Sequence, residues 1–255
     1  MDWVAVLSGF GIGAIVGMTG VGGGSLMTPL LIGVFRLSPA VAIGTDLFFA
    51  AVTKSGGVLA HARHGHVDTR IVLRLLTGSL PAAVITILAM HASGLTKAWA
   101  SALTVALGIA LLVTAVTVAY RSTWQQIGLK LQRWLPESRK PAITVAAGAV
   151  LGVLVSLSSV GAGAIGVTLI LLLYPKLPTQ RVVGTDIAHA VPLTLVAGIG
   201  HATLGNVDWA LLGALLVGSL PGIWIGANLT KLLPERLTRA MLCASLVTAG
   251  LKVIH

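Results

Sequence analysis

The chain repeats itself. Gly44-Thr45-Asp46 returns as Gly184-Thr185-Asp186, His61-Ala62 as His201-Ala202, and Gly65 as Gly205. Val67-Asp68 returns as Val207-Asp208, and Gly78-Ser79-Leu80-Pro81 as Gly218-Ser219-Leu220-Pro221. The separation is 140 residues in every case. Upstream, Val21-Gly22-Gly23-Gly24 pairs with Val160-Gly161-Ala162-Gly163 at 139, so one residue has been gained or lost between the copies. A fold that satisfies such a sequence must be built twice from one unit.

The unit is apolar. Apolar residues make up 56% of the chain and charged ones 9%, against about 25% charged in an average soluble domain. Uncharged runs cover 3–35, 75–96, 98–120, 141–175, 187–207 and 209–230. About 20 such residues cross a bilayer core, so the chain reads as an all-α polytopic membrane protein. The net charge of +10 falls in loops, as expected of cytoplasmic loops rather than of a nucleic-acid binder. One cysteine, Cys243, gives no disulfide framework. The N-terminus lacks a basic leader region, so the first segment is expected to be retained.

Three parts are expected: a first repeat over 1–120, a linker over 121–140 and a second repeat over 141–255. In the linker, Trp124, Ile127, Leu131, Trp134 and Leu135 recur at helical spacing among Arg121, Lys130 and Arg133. That pattern predicts an amphipathic helix on the cytoplasmic membrane surface. Runs 3–35 and 141–175 are too long for one crossing and short for two. Each breaks near its middle at small residues, which predicts a pair of short helices with arms of about 14 residues and about 21 Å. Three ordinary spans follow in each half, near 40–60, 70–91 and 97–120, then 180–200, 207–230 and 237–254, for 8–10 membrane segments in all. Lys and Arg cluster at 63–74, 121–140, 176–181 and 231–239, while 91–97 and 201–208 carry little or none. The positive loops, taken as cytoplasmic, orient the halves oppositely. The repeats are then inverted in topology, with both termini outside the cell.

Repeats of this kind enclose a central site, and the candidate residues lie at matching places. Gly22, Gly23, Gly24 and Ser25, with Gly161 and Gly163, could bring backbone amides and a helix N-terminus to an anion without formal charge. Thr19, Ser158 and Ser159 add hydroxyls. A Gly-rich packing surface is the plainer alternative. Asp46 and Asp186 are intramembrane carboxylates, which are costly and suited to protons or a coupling cation; capping a helix start is the other reading. Thr45 and Thr185 beside them are candidates for substrate binding. Lys54 lies about two turns beyond Asp46, where it would attract an anion or snorkel to headgroups. His189 is a candidate proton relay or a packing residue. His61, His64 and His66 lack a partner set for a metal. Pro81 and Pro221 are expected to kink their helices. No nucleophile–base pair is visible, so no enzyme activity and no cofactor are expected.

Gly20-Val21-Gly22-Gly23-Gly24-Ser25-Leu26, followed by Pro29-Leu30-Leu31, resembles the first motif of the TauE/SafE sulfite-exporter family. The weaker echo in the second half and the Gly-x-Val-Asp turns are similar as well, so the resemblance covers nearly the whole chain. It implies a permease of sulfite or small organosulfonates in the bacterial cytoplasmic membrane. Many relatives end the second motif Thr-Ser. Here both copies read Thr-Asp, and Lys54 completes Thr-Asp-Leu with Ala-Ala-x-Thr-Lys, a departure that favours proton or cation coupling. Expected partners are a small anion and the lipid bilayer, with a homodimer as one assembly and no nucleic acid. The alternative function is a passive anion or cation/proton channel.

Overall fold

The computed structural model describes residues 3–19, 24–93, 97–229 and 235–254. Among these, the elements are helical: α1 (Trp3–Thr19), α2 (Gly24–Gly33), α3 (Pro39–Arg63), α4 (Thr69–Ser93), α5 (Lys97–Ala119), α6 (Arg121–Leu131), α7 (Lys140–Ser158), α8 (Ala164–Leu173), α9 (Thr179–Thr203), α10 (Trp209–Leu229) and α11 (Glu235–Ile254). A 3-10 turn at Glu137–Arg139 leads into α7. Five described helices are long and apolar enough to cross a membrane, within α4, α5, α7 with its lead-in, α9 and α10. The helix α3 is as long as α4 but carries Asp46, Lys54 and Arg63 and is not among the five.

The broken segments differ from the equal arms that run length suggests. The arms have 17 and 10 residues in the first half and 19 and 10 in the second. At 1.5 Å per residue, α7 reaches about 28 Å, enough to cross, and α8 about 15 Å, half of that. The second arms are stopped early by local chemistry. After α2 come Arg36, at φ 56°, and Pro39; after α8 comes Pro175, which has no N–H to continue a helix. The helices α4 and α10 run through Pro81 and Pro221 without ending there.

The halves interlock. The most extensive helix contacts are α1 with α10 and α4 with α7, so each half lends its first helix to the other half's fourth. Both crossings are close because glycines line them. Gly218 sits on the backbone of Val6, Gly222 on Phe10 and Gly226 on Ala14, so α1 and α10 climb in parallel. Gly148 sits on Leu75 and Gly152 on Ser79 in the same manner between α7 and α4. Without a hydrophobic drive between helices in lipid, such backbone approach is what holds membrane helices together.

The helices α3 and α9 pair directly and run antiparallel: Gly198 of α9 packs on Phe48 and Leu47, while Gly57 of α3 packs on Ile187. Their ends are tied by matched bonds. Thr45 Oγ1 accepts the Asp208 N–H at 3.0 Å, and Thr185 Oγ1 accepts the Asp68 N–H at 3.0 Å. In turn Asp68 Oδ1 accepts the Ile71 N–H at 3.2 Å and Asp208 Oδ1 the Leu211 N–H at 2.9 Å, capping α4 and α10. The helices α5 and α11 also pair, with Cys243 near the Ala115 carbonyl and Gly250 on Leu111. The linker helix α6 rests on the end of α8, where Gly128 meets Leu171 and Gln125 donates to the Pro175 carbonyl at 3.1 Å.

The surface is inside out relative to a water-soluble protein. Leu7, Ile85, Leu88 and Trp224 are exposed, while Thr45, Asp46, Asp186 and His189 are buried. An apolar exterior of this extent suits lipid, and buried polar groups are then a clue to function.

Candidate functional site

The second break supplies the frame. Ser159 ends α7 in the left-handed region at φ 57°, and Gly161 and Gly163 follow at φ 120° and 144°. A side chain at either glycine would be strained, which is why the chain turns there. Ser158 holds the corner: its hydroxyl donates to the Leu154 carbonyl at 2.6 Å and accepts the Val160 N–H at 3.2 Å. Gly166 N–H then reaches the Gly161 carbonyl at 2.9 Å and α8 begins. The corner is buried, with Ser158, Ser159 and Val160 all at most 3% exposed.

Four ionisable side chains from α3 and α9 converge on this corner. Lys54 Nζ donates to the Ala162 carbonyl, inside the break. The ammonium therefore points inward, rather than out to headgroups, and is 7% exposed. Both Asp46 and Asp186 lie within its electrostatic reach. Neither forms a direct ion pair with it; ion pairs lie elsewhere, at Lys140–Glu137 and Arg181–Asp68. Asp46 Oδ2 accepts the Thr28 hydroxyl from α2, and the Ser159 hydroxyl lies beside the same carboxylate. Asp186 is turned to the Gly163 amide and lies over Gly166, where an added Cβ would strike its Oδ1. His189 Nε2 shares a hydrogen bond of 2.9 Å with the Ser79 hydroxyl of α4. Asp46 Oδ1, Asp186 Oδ1, Ser159 Oγ and His189 Nδ1 are buried and make no hydrogen bond within the protein.

The arrangement thus joins one ammonium, two carboxylates, an imidazole, hydroxyls and the N-terminal turn of a half-length helix. It can hold a small oxyanion by amides and ammonium, and it can take up or release protons at the carboxylates. Neither Asp46 nor Asp186 caps its own helix: Ser38 accepts the Val41 N–H at the start of α3, and each carboxylate lies two turns further in.

Several candidates sit elsewhere. The hydroxyls of Thr45 and Thr185 are bound to the turns before α10 and α4, so they tie the scaffold at its two ends. Gly22 and Gly23 lie outside the described residues. Thr19 falls on α1 and Gly24 and Ser25 on α2, without described side chains. Four participants are new: Thr28, Ser79, Gly166 and the Ala162 carbonyl. Thr28 had a signal, since Thr168 repeats it at the same separation of 140. Ser79 lies in the repeated Gly-Ser-Leu-Pro motif, in which the proline is the residue with an evident structural meaning. A carbonyl carries no signature in a sequence.

Comparison with known proteins bears on what such a site serves. The family model for the sulfite exporter TauE/SafE matches residues 5–253. A probable membrane transporter protein of Bacillus subtilis (strain 168), YjnA, is 36% identical over 252 residues, covering 98% of each chain. A second from the same strain, YdhB, is 28% identical over 251 residues, again 98% of each chain. A probable membrane transporter protein of Xylella fastidiosa (strain Temecula1 / ATCC 700964) is 26% identical over 228 residues, 89% of this chain and 84% of that one. No solved structure matches the chain.

Proposed function

The chain belongs to the sulfite exporter TauE/SafE family, and from that premise we propose that it carries small sulfur-containing anions, sulfite or C2 and C3 sulfonates, with proton or cation coupling. The family and the relatives' names support a multi-pass membrane transporter. The finer reading rests on one observation above all. A buried lysine, Lys54, is held by the broken backbone at Ala162 within electrostatic reach of two buried carboxylates. An anion placed there meets a positive charge and helix-end amides in a dry setting, and the carboxylates give that charge a counterion when the anion is gone.

Alternating access is the mechanism we infer. The antiparallel course of α3 and α9 supports an inverted pair of repeats around the site. The interlock bears on which bodies rock. A motion of residues 1–120 against 141–255 would pull α1 off α10 and α4 off α7, the most extensive helix contacts among the described residues. The swapped pairs α1–α10 and α4–α7 are therefore the natural rigid bodies, with α3 and α9 between them. Placement in a bacterial cytoplasmic membrane with both termini outside belongs to the same proposal.

Proteoliposomes loaded with labelled sulfite or C2 sulfonates test the substrate. Saturable, protein-dependent exchange is expected. Flux that never saturates would make the protein a channel, and no flux of any of these anions would remove the substrate assignment.

A further inference from the structure

The anion seat at the start of α8 is already taken by the protein. A helix of 10 residues opens at Gly163–Ala164 with amides that have no intrahelical partner, an arrangement suited to negative charge. The group that faces them is the Asp186 carboxylate, turned to the Gly163 N–H and resting on Gly166. Its Oδ1 makes no hydrogen bond within the protein, although the side chain is only 1% exposed. Lys54 lies on the same side, fixed by the Ala162 carbonyl. These are the groups that a sulfite or sulfonate would need. An anion and an ionised Asp186 facing the same amides at such short range, away from water, would repel strongly.

Among its described residues, the first half holds its acid differently. There Asp46 is bound by the Thr28 hydroxyl, and the residues 139 and 140 positions before Gly166, Met27 and Leu26, both carry long apolar side chains where Gly166 leaves space.

We propose that Asp186 is a tethered stand-in for the transported anion, holding Lys54 and the start of α8 in the empty carrier and leaving that seat as a neutral acid when the anion arrives. This rests on the reading of the chain as a small-anion carrier. In the step, one anion and one proton enter from the solution on the open side. The proton forms the O–H bond of the Asp186 carboxylic acid, the anion takes the amides and the ammonium, and no covalent bond breaks. Release runs the same step backwards. A monovalent anion then moves with no net charge.

Few other titratable groups face Asp186. From α3 come Lys54 and, beyond it, Asp46. From α9 itself comes His189, one turn on, bonded to Ser79 of α4. The helix α8 and residues 141–158 of α7 contain no titratable side chain. His61 of α3 lies against Gly184, about 200° round α9 from Asp186.

The test measures anion affinity against pH in purified, reconstituted protein. The probe is 2-hydroxyethanesulfonate, whose sulfonate stays ionised throughout, with sulfite as a second. Wild-type affinity should rise as pH falls, by at most about tenfold per unit for one linked proton. Asp186→Asn, which has the shape of the neutral acid, should show a flat profile and lose accumulation driven by a proton gradient. Gly166→Ala should flatten the profile too, since its methyl group evicts the carboxylate; it serves if the first variant fails to fold. Infrared difference spectra should show a carboxylic-acid carbonyl band appearing as the probe binds wild type, and none in Asp186→Asn. A pH slope kept by both variants, or no such band in wild type that binds the probe, overturns the proposal and leaves the carrier reading standing. Wild-type vesicles that move neither anion overturn the carrier reading and this proposal together.

Discussion

Lys54 shows how much one residue can decide here. Its counterpart in the second half is Thr194, whose hydroxyl simply bonds back to the Ala190 carbonyl at 2.9 Å. Among the described residues α3 is therefore what brings a cation to this break, and the site is asymmetric although the sequence repeats. Lys54→Met keeps the length of the side chain and removes the charge. A hydrogen bond to a charged group contributes about 1.5–3 kcal/mol, so anion affinity should fall about ten- to a hundredfold. Titrating the thermal stability of the variant with sulfite would show it, because a ligand of the folded state raises that stability; an unchanged titration would remove Lys54 from the site. The sequence left Lys54 between substrate and headgroups. What it lacked was the direction of the side chain, which depends on where the Ala162 carbonyl lies, 108 positions away.

At the scale of elements, the parts that repeat were legible and the way they meet was not. Alternation of charge and apolar runs marked the helices, and the Gly-rich strings marked the breaks. Arm lengths within the broken segments could not be read from run length, because helices end where proline and left-handed residues stop them. Gly218 and Gly213 give a matched test of helix contact. A Cβ on Gly218 would run into the backbone of Val6 and Phe10, while one on Gly213 would meet nothing within 4 Å. Gly218→Leu should destabilise the detergent-solubilised protein by about 1–3 kcal/mol through overpacking. Gly213→Ala should stabilise it by up to about 1 kcal/mol through helix propensity. Thermal denaturation of both variants measures the difference, and equal midpoints would show that the α1–α10 crossing does not limit stability.

For the whole molecule, the arrangement of the ends carries the prediction. Arg181 and Asp68 approach to 3.7 Å, so the positive turns at 63–74 and 176–181 share one end of the α3–α9 pair. The turn at 204–208 meets the start of α3 at the other end, through Asp208 and Thr45. Under the proposed orientation, in which positive loops are cytoplasmic, the first end faces the cytoplasm. With Cys243 replaced by Ala, single cysteines at Thr69 and Thr203 should react with impermeant reagents from opposite sides, Thr203→Cys from outside. Labelling of both from one side would refute the inverted arrangement. The sequence by itself determined the class, the number of copies and the polar residues placed in an apolar chain, because solvation in lipid penalises every misplaced charge and periodicity records each helix. Only the tertiary structure decided that the halves exchange helices and that Lys54 reaches across to the opposite break. It also decided that a carboxylate, rather than an empty set of amides, occupies the start of α8. Those facts depend on which surfaces meet at close range, and the repeat, being the same in both halves, carries no mark of which copy faces which.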